Sequence, residues 1–277
     1  MGVSAISDMA EEFSRRVDIA PKSRIFYRDS LRMTLLPFCE REGLTRPEEL
    51  TPEVIDRLAI ELEGRLSRQG NPLSPATRRS YLKAVQQFLS WLERRKKVSG
   101  VEARLVQMPG LRRKHRDVLT RREIQLLEDA APMERNKLLI RLMGDTGARE
   151  GEVASMRLED LIAKERSYFI RIRGKTGERM PPITPSVYRR LKAYAEGKSG
   201  RPRTRSAYLF LASRRRPGGE HEPLTESGVY QAVKDAVERC GIGRRAYPHL
   251  LRHSAITHMV SGGMHPALVS DITGVSV

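Results

Sequence analysis

Apolar residues spaced three and four apart, in separate runs with their own start signals, constrain this 277-residue chain more than any other feature. Tyr27, Leu31, Leu35 and Phe38 make the first run; Val54, Ile55, Leu58, Leu62 and Leu66 make the second. Such spacing lines one face of an α-helix, whereas a half-buried strand would need strict alternation. Thr51-Pro52 opens the second run, with Thr at a capping position and Pro where its missing N–H costs the helix nothing. Ser74-Pro75 opens a third run in the same way, and Tyr81, Val85, Phe88 and Leu92 then form one stripe. Arg78, Arg79 and Lys83 lie off that stripe, where they could face a ligand, although a solvated helix face is the readier explanation of such cations when they are taken alone. Residues 1–98 are therefore expected to form a small helical bundle.

The periodicity lapses between the basic cluster Arg94-Arg95-Lys96-Lys97 and a second one, Arg112-Arg113-Lys114, with Gly100, Pro109 and Gly110 between them. Residues 99–116 read as a basic interdomain linker able to track a phosphate backbone. Thr120-Arg121-Arg122-Glu123 is a capping box, so a second domain is expected over 117–277. It begins with helices, one carrying Leu138, Leu139 and Leu142. A Gly-rich turn at 144–152 follows, then a strand alternating Tyr168, Ile170, Ile172 against Phe169, Arg171, Arg173. Gly174-Lys175-Thr176-Gly177 reads as a hairpin turn, with a return strand from Arg179 to Thr184. Helices resume with Thr225 as a cap before Val229, Val233 and Val237, and another is expected from His249 to Val260, ending at Gly262-Gly263. The fold class is thus mainly α with a small antiparallel β-sheet in the C-terminal domain.

Charge narrows the function. Fifty-one basic against 34 acidic residues leave +17, an unusual balance for an enzyme of small-molecule metabolism. Arg and Lys recur along the whole chain rather than on one amphipathic helix, which favours nucleic acid over a membrane surface as the partner. Cys39 and Cys240 are the only cysteines, too few for a disulfide scaffold or a Cys-rich zinc module, and they fit a reducing compartment. With no apolar run long enough to span a bilayer, a cytoplasmic, nucleoid-associated protein is expected. His249 and His253 stand four apart, but no Glu follows His249 as a zincin motif would require, so no metal site is expected.

Arg149, Lys175, His249 and Arg252 sit at turns or element ends, and each alone would pass for a surface charge. Their order and setting change this: Thr146-Gly147-Ala148-Arg149-Glu150-Gly151-Glu152, then Gly174-Lys175 in a hairpin, then Pro248-His249-Leu250-Leu251-Arg252-His253. In that order they resemble the tyrosine recombinase, or phage integrase, family over nearly all of 118–277. The preceding bundle is similar in pattern and position to that family's SAM-like core-DNA-binding domain. The resemblance implies that Arg149 and Arg252 grip the scissile phosphate of double-stranded DNA, a task suited to planar, forked guanidiniums. It implies that Lys175 acts as general acid toward the leaving 5′-oxygen, that His249 assists proton transfer at the nucleophile, and that Glu152 and His253 support the site. Arg78, Arg79, Lys83, Arg112, Arg113 and Lys114 become candidate DNA contacts. The family cuts and rejoins DNA at core sites through a 3′-phosphotyrosine, needs no metal or nucleotide cofactor, and self-associates as dimers or tetramers on DNA.

Two departures accompany the match. Val275 occupies the position where the family usually places a His or Trp against the phosphate, and His258 and His265 are the nearest substitutes. The family's nucleophilic tyrosine comes roughly nine residues later, whereas this sequence stops at Val277 and no tyrosine follows Tyr247. The 277 residues alone are therefore expected to bind DNA without cleaving it. The alternatives are a cleavage-deficient DNA-binding regulator of recombination and a helix-turn-helix transcription factor, the latter suggested by residues 267–276.

Overall fold

In a computed structural model of the chain, the described residues are 5–16, 18–95, 102–111, 117–175, 177–215 and 220–275. Contacts divide the chain into two units, Met1–Lys114 and His115–Val277.

The first unit is built on α1 (Ala5–Ser14), α2 (Pro21–Met33), α3 (Leu35–Glu42), α4 (Pro52–Gly64) and α5 (Pro75–Arg94). The stripe from Tyr27 to Phe38 spans two helices rather than one. Pro37 explains the break, because its ring would clash with the carbonyl of residue 33 and it has no N–H to return. The backbone turns at Thr34 (φ −126°, ψ −76°), whose hydroxyl donates to the Ser30 carbonyl at 2.7 Å. Ser74 caps α5 as its position predicts, accepting from the Thr77 N–H at 3.1 Å, whereas Thr51 accepts no backbone N–H of α4 and bonds the Glu53 side chain instead. Phe88, Leu58, Leu62, Leu35 and Val85 are fully buried, and Phe13 from α1 packs edge-on to Phe88 at 5.6 Å. Leu66 departs from its stripe: it lies beyond the end of α4 and is exposed. Ala103 and Val106, inside the stretch read as linker, are buried in this same core.

The second unit begins with α6 (Arg121–Ala130), α7 (Glu134–Thr146) and α8 (Glu150–Ala154). Strands β1 (Leu161–Lys164), β2 (Ser167–Ile170), β3 (Ile172–Gly174), β4 (Gly177–Arg179) and β5 (Pro182–Ile183) follow, then α9 (Pro185–Ala195). The remainder is β6 (Leu211–Arg215), β7 (His221–Pro223), α10 (Glu226–Cys240), α11 (Pro248–Ser261) and α12 (Pro266–Thr273). Helix α7 is central, with Leu138, Leu139, Ile140, Leu142 and Met143 all inaccessible to solvent, because α6, α9, α10 and α11 pack around it. The fold is mainly helical, and among the described residues the β-structure is divided into three small antiparallel sheets, β1-β2-β5, β3-β4 and β6-β7.

That division corrects the single strand expected over 168–173. At Arg171 the backbone N–H leaves the ladder and donates to the Asp160 carbonyl at 2.8 Å, so β2 ends in one sheet and β3 starts in another. The return strand is split as well, since Pro181-Pro182 cannot supply consecutive ladder donors. The register pairs Ile172 with Arg179 and Gly174 with Gly177, leaving Lys175 in the connecting turn.

Candidate functional site

The site grows from a glycine. Helix α7 ends at Gly147, whose φ of +63° closes the helix by an N–H bond to the Met143 carbonyl at 3.0 Å. A Cβ there would stand 3.2 Å from the Thr273 side chain, so the same glycine lets the end of α12 approach. Two residues on, Arg149 occupies the N-cap of α8. Its N–H donates to Glu152 Oε2 at 2.8 Å and its Nη1 to Oε1 at 2.8 Å.

Glu152 is the carboxylate around which the site is assembled, and it is only 5% exposed. Arg179 from β4 meets it in a two-pronged bridge, Nη1 to Oε1 at 3.0 Å and Nη2 to Oε2 at 2.6 Å, and sends Nε to the Ile272 carbonyl at 2.9 Å. Burial pushes the Glu152 carboxyl up, but the Arg179 hydrogen bonds, the Arg149 N–H and the Arg179 charge outweigh it and hold the group below the usual carboxylate range. Gly174 makes this approach possible, because a Cβ at that position would run into the Glu152 carboxylate.

Arg252 enters from α11. It is 4% exposed, and its Nη1 donates to the Gly147 carbonyl. Its Nη2 is buried and has no hydrogen-bond partner among the described residues. Burial and the neighbouring Arg149 charge push this guanidinium down to about 10, with Glu152 opposing. Two guanidiniums thus bond one carboxylate, and the third, Arg252, lies within reach of their charges, an excess of positive charge. Arg149 also reaches the Gly274 carbonyl, at 3.4 Å, and its side chain is 38% exposed. The cluster suits an anion that offers several acceptor oxygens at once.

The structure brings Arg149, Glu152 and Arg252 together with the backbone leading to position 275. Lys175 is exposed on the hairpin whose Gly174 touches Glu152, and His249 is exposed one turn before Arg252 on α11. His253 is half-buried, and Val275 is half-buried with its carbonyl accepting the Ser270 hydroxyl at 2.7 Å. Neither substitute histidine joins the cluster: His265 caps α12 by accepting the Ala267 N–H at 3.3 Å, and His258 lines a groove with Arg121 and Asp145. Of the cations in the first unit, Arg78 is paired with Glu63 at 2.5 Å, Arg79 donates to the Pro109 carbonyl at 3.0 Å, and Lys83 is exposed. Arg112, Arg113 and Lys114 lie outside the described residues. Sequence reasoning missed Arg179. A signal existed, since hairpin register places it opposite the buried Ile172 and so turns it inward.

Residues 117–276 match the phage integrase family, and the chain belongs to that family. It is 28% identical over 224 residues to a tyrosine recombinase of Pseudothermotoga lettingae, covering 79% of this chain and 74% of that protein. It is 36% identical over 146 residues to the tyrosine recombinase XerD of Mycobacterium tuberculosis, covering 50% of this chain and 44% of that one. Among solved structures, the Tn1549 transposon integrase in complex with transposon right end DNA superposes with a TM-score of 0.73 at 16% identity, covering 99% of this chain and 92% of that one. A lambda integrase dimer bound to a core site superposes at 0.71, also at 16% identity, covering 99% and 91%. Among the described residues no helix is long and apolar enough to cross a membrane.

Proposed function

We propose that the second unit holds one phosphodiester of duplex DNA between Arg149 and Arg252 and acts in site-specific cutting and rejoining of strands. The observation that carries this reading is the buried Arg252 Nη2 without a partner, beside an excess of guanidinium charge. A nonbridging phosphate oxygen would complete it. In a trigonal-bipyramidal transition state, negative charge grows on those oxygens, and donors already aimed at them lower the barrier without reorganising. Lys175, on an exposed hairpin turn, is the group able to close over a leaving 5′-oxygen and give it a proton, and His249 serves proton transfer at the attacking hydroxyl. Glu152 takes no proton; it orients Arg149. The DNA-bound relatives and the net charge of +17 support duplex DNA as the partner and assembly of copies on it.

The reaction attributed to the family needs a hydroxyl nucleophile, and Tyr247 is set apart from that task by its place at the N-cap of α11. The test incubates the 277-residue chain with a nicked duplex and runs a denaturing gel. Retarded DNA under native conditions with no covalent band is the expected result. A covalent band abolished by Tyr247→Phe would overturn the assignment. In a longer product of the same reading frame that carries a tyrosine beyond Val277, Arg149→Ala and Arg252→Ala are expected to abolish cleavage.

A further inference from the structure

One buried charge is left without a role by the reading above. Arg179 is 7% exposed at its side chain, and its Nε, Nη1 and Nη2 are all engaged, by Ile272 and by both oxygens of Glu152. It cannot itself take a phosphate without releasing Glu152. We propose that Arg179 is a positioning residue that keeps Arg149 available to the DNA phosphate by occupying Glu152. It also fixes the base of the Lys175 hairpin to that carboxylate and to the last turn of α12. The proposal rests on the reading of Arg149 and Arg252 as phosphate ligands.

The geometry carries it in two ways. Glu152 accepts from the Arg149 backbone and side chain as well as from Arg179, so one carboxylate is shared by two guanidiniums. With Arg179 removed, the whole carboxylate charge would fall on Arg149 and draw its partly exposed guanidinium toward Glu152 and away from an anion. Second, Arg179 ends β4 and bonds α12 at Ile272, while Gly174 at the end of β3 lies against Glu152. The two strands that present Lys175 are therefore anchored to the same carboxylate that orients Arg149, and the anchor extends to the segment leading to Val275.

The test uses the whole 277-residue chain with ¹⁵N labelling, and dimethyl phosphate, a monoanionic phosphodiester, as the probe. The side-chain Nε–H signals of Arg149 and Arg252 report the site directly. Both are expected to shift on titration of the native chain. Arg179→Met is expected to raise the apparent Kd about five- to tenfold, the scale of one charge-assisted interaction. Arg179→Lys, which restores charge without the fork, is expected to recover part of that loss. In a Glu152→Gln background, Arg179→Met is expected to change Kd by less than about twofold, because the group it acts through is gone.

A native-like Kd in Arg179→Met overturns the proposal. So does an equal loss in both backgrounds, which would mark Arg179 as a residue of general stability alone. If Arg179→Met fails to fold, Arg179→Lys carries the comparison, and a native-like Kd there overturns the proposal. Failure of the phosphate reading is distinguished by the native chain itself: if the Arg149 and Arg252 signals do not respond, that reading is refuted and this one with it.

Discussion

Burying the Arg252 guanidinium with one nitrogen unpartnered deprives the folded chain of hydration that the unfolded chain keeps. Arg252→Met fills similar space without the charge, so it is expected to match or exceed native stability by about 1–3 kcal/mol, while weakening DNA binding. Urea unfolding alongside a binding isotherm checks the pair of effects, and a variant that loses both stability and binding would contradict the assignment. Glu152 behaves oppositely. Its folded carboxyl lies below the ordinary glutamate value, so its contribution is complete above that value and is lost as pH falls through the folded one. Glu152→Gln is expected to cost about 3 kcal/mol at pH 7, with the gap to the native chain closing on acidification below about pH 4. Unfolding curves at several pH values measure this. At this scale Arg149, Glu152 and Arg252, which the structure brings together, carry a motif spacing in the sequence, and a motif survives without knowledge of contacts; Lys175 and His249 belong to the same motif and are exposed. Arg179 was not legible, because its partners, Glu152 and Ile272, are distant in sequence and only the pairing of β3 with β4 turns it toward them.

Helix starts were the most legible elements, since a cap is a local event. Thr120 accepts from the Glu123 N–H at 3.1 Å while Glu123 Oε2 accepts from the Thr120 N–H at 2.7 Å, which is the reciprocal box its sequence spells. Thr120→Ala is expected to lower the stability of the second unit by about 1 kcal/mol, read as a shift in urea midpoint without a change in slope. Gly147→Ala tests a less local feature. Its φ of +63° disfavours a Cβ, and that Cβ would press on Thr273, so a loss of about 2 kcal/mol is expected together with weaker DNA binding, because the Gly147 carbonyl also holds Arg252. An Ala variant with native stability would show that the α7–α12 approach is loose. Strand boundaries were poorly legible for the complementary reason. Whether 168–173 is one strand or two depends on the Asp160 carbonyl taking the Arg171 N–H, and alternation within the segment is silent about which neighbour each half will pair with.

For the whole molecule the governing quantity is charge, which sequence alone supplies: +17 spread over both units. Some of the 51 basic residues are internally paired. Arg78 is held by Glu63 and Arg190 by Glu128 and Glu134, so the gross count of basic residues overstates the number of cations a duplex can recruit. The salt dependence of binding counts those that are recruited, since each neutralised phosphate releases condensed counterion and steepens log K against log salt by about 0.9. If the chain as a whole engages six or more phosphates, its affinity for a short duplex is expected to fall by about a thousandfold or more between 50 and 200 mM salt. Because Arg149 and Arg252 share one phosphate, removing both should flatten the slope by about one and Arg252→Ala alone by no more than that, whereas Arg78→Ala, whose cation is already paired, should leave it nearly unchanged. Fluorescence anisotropy across a salt series measures all four proteins in one format. A flat Arg252→Ala result with an altered Arg78→Ala slope would move the phosphate contacts out of the second unit's cluster, and with them the proposed chemistry.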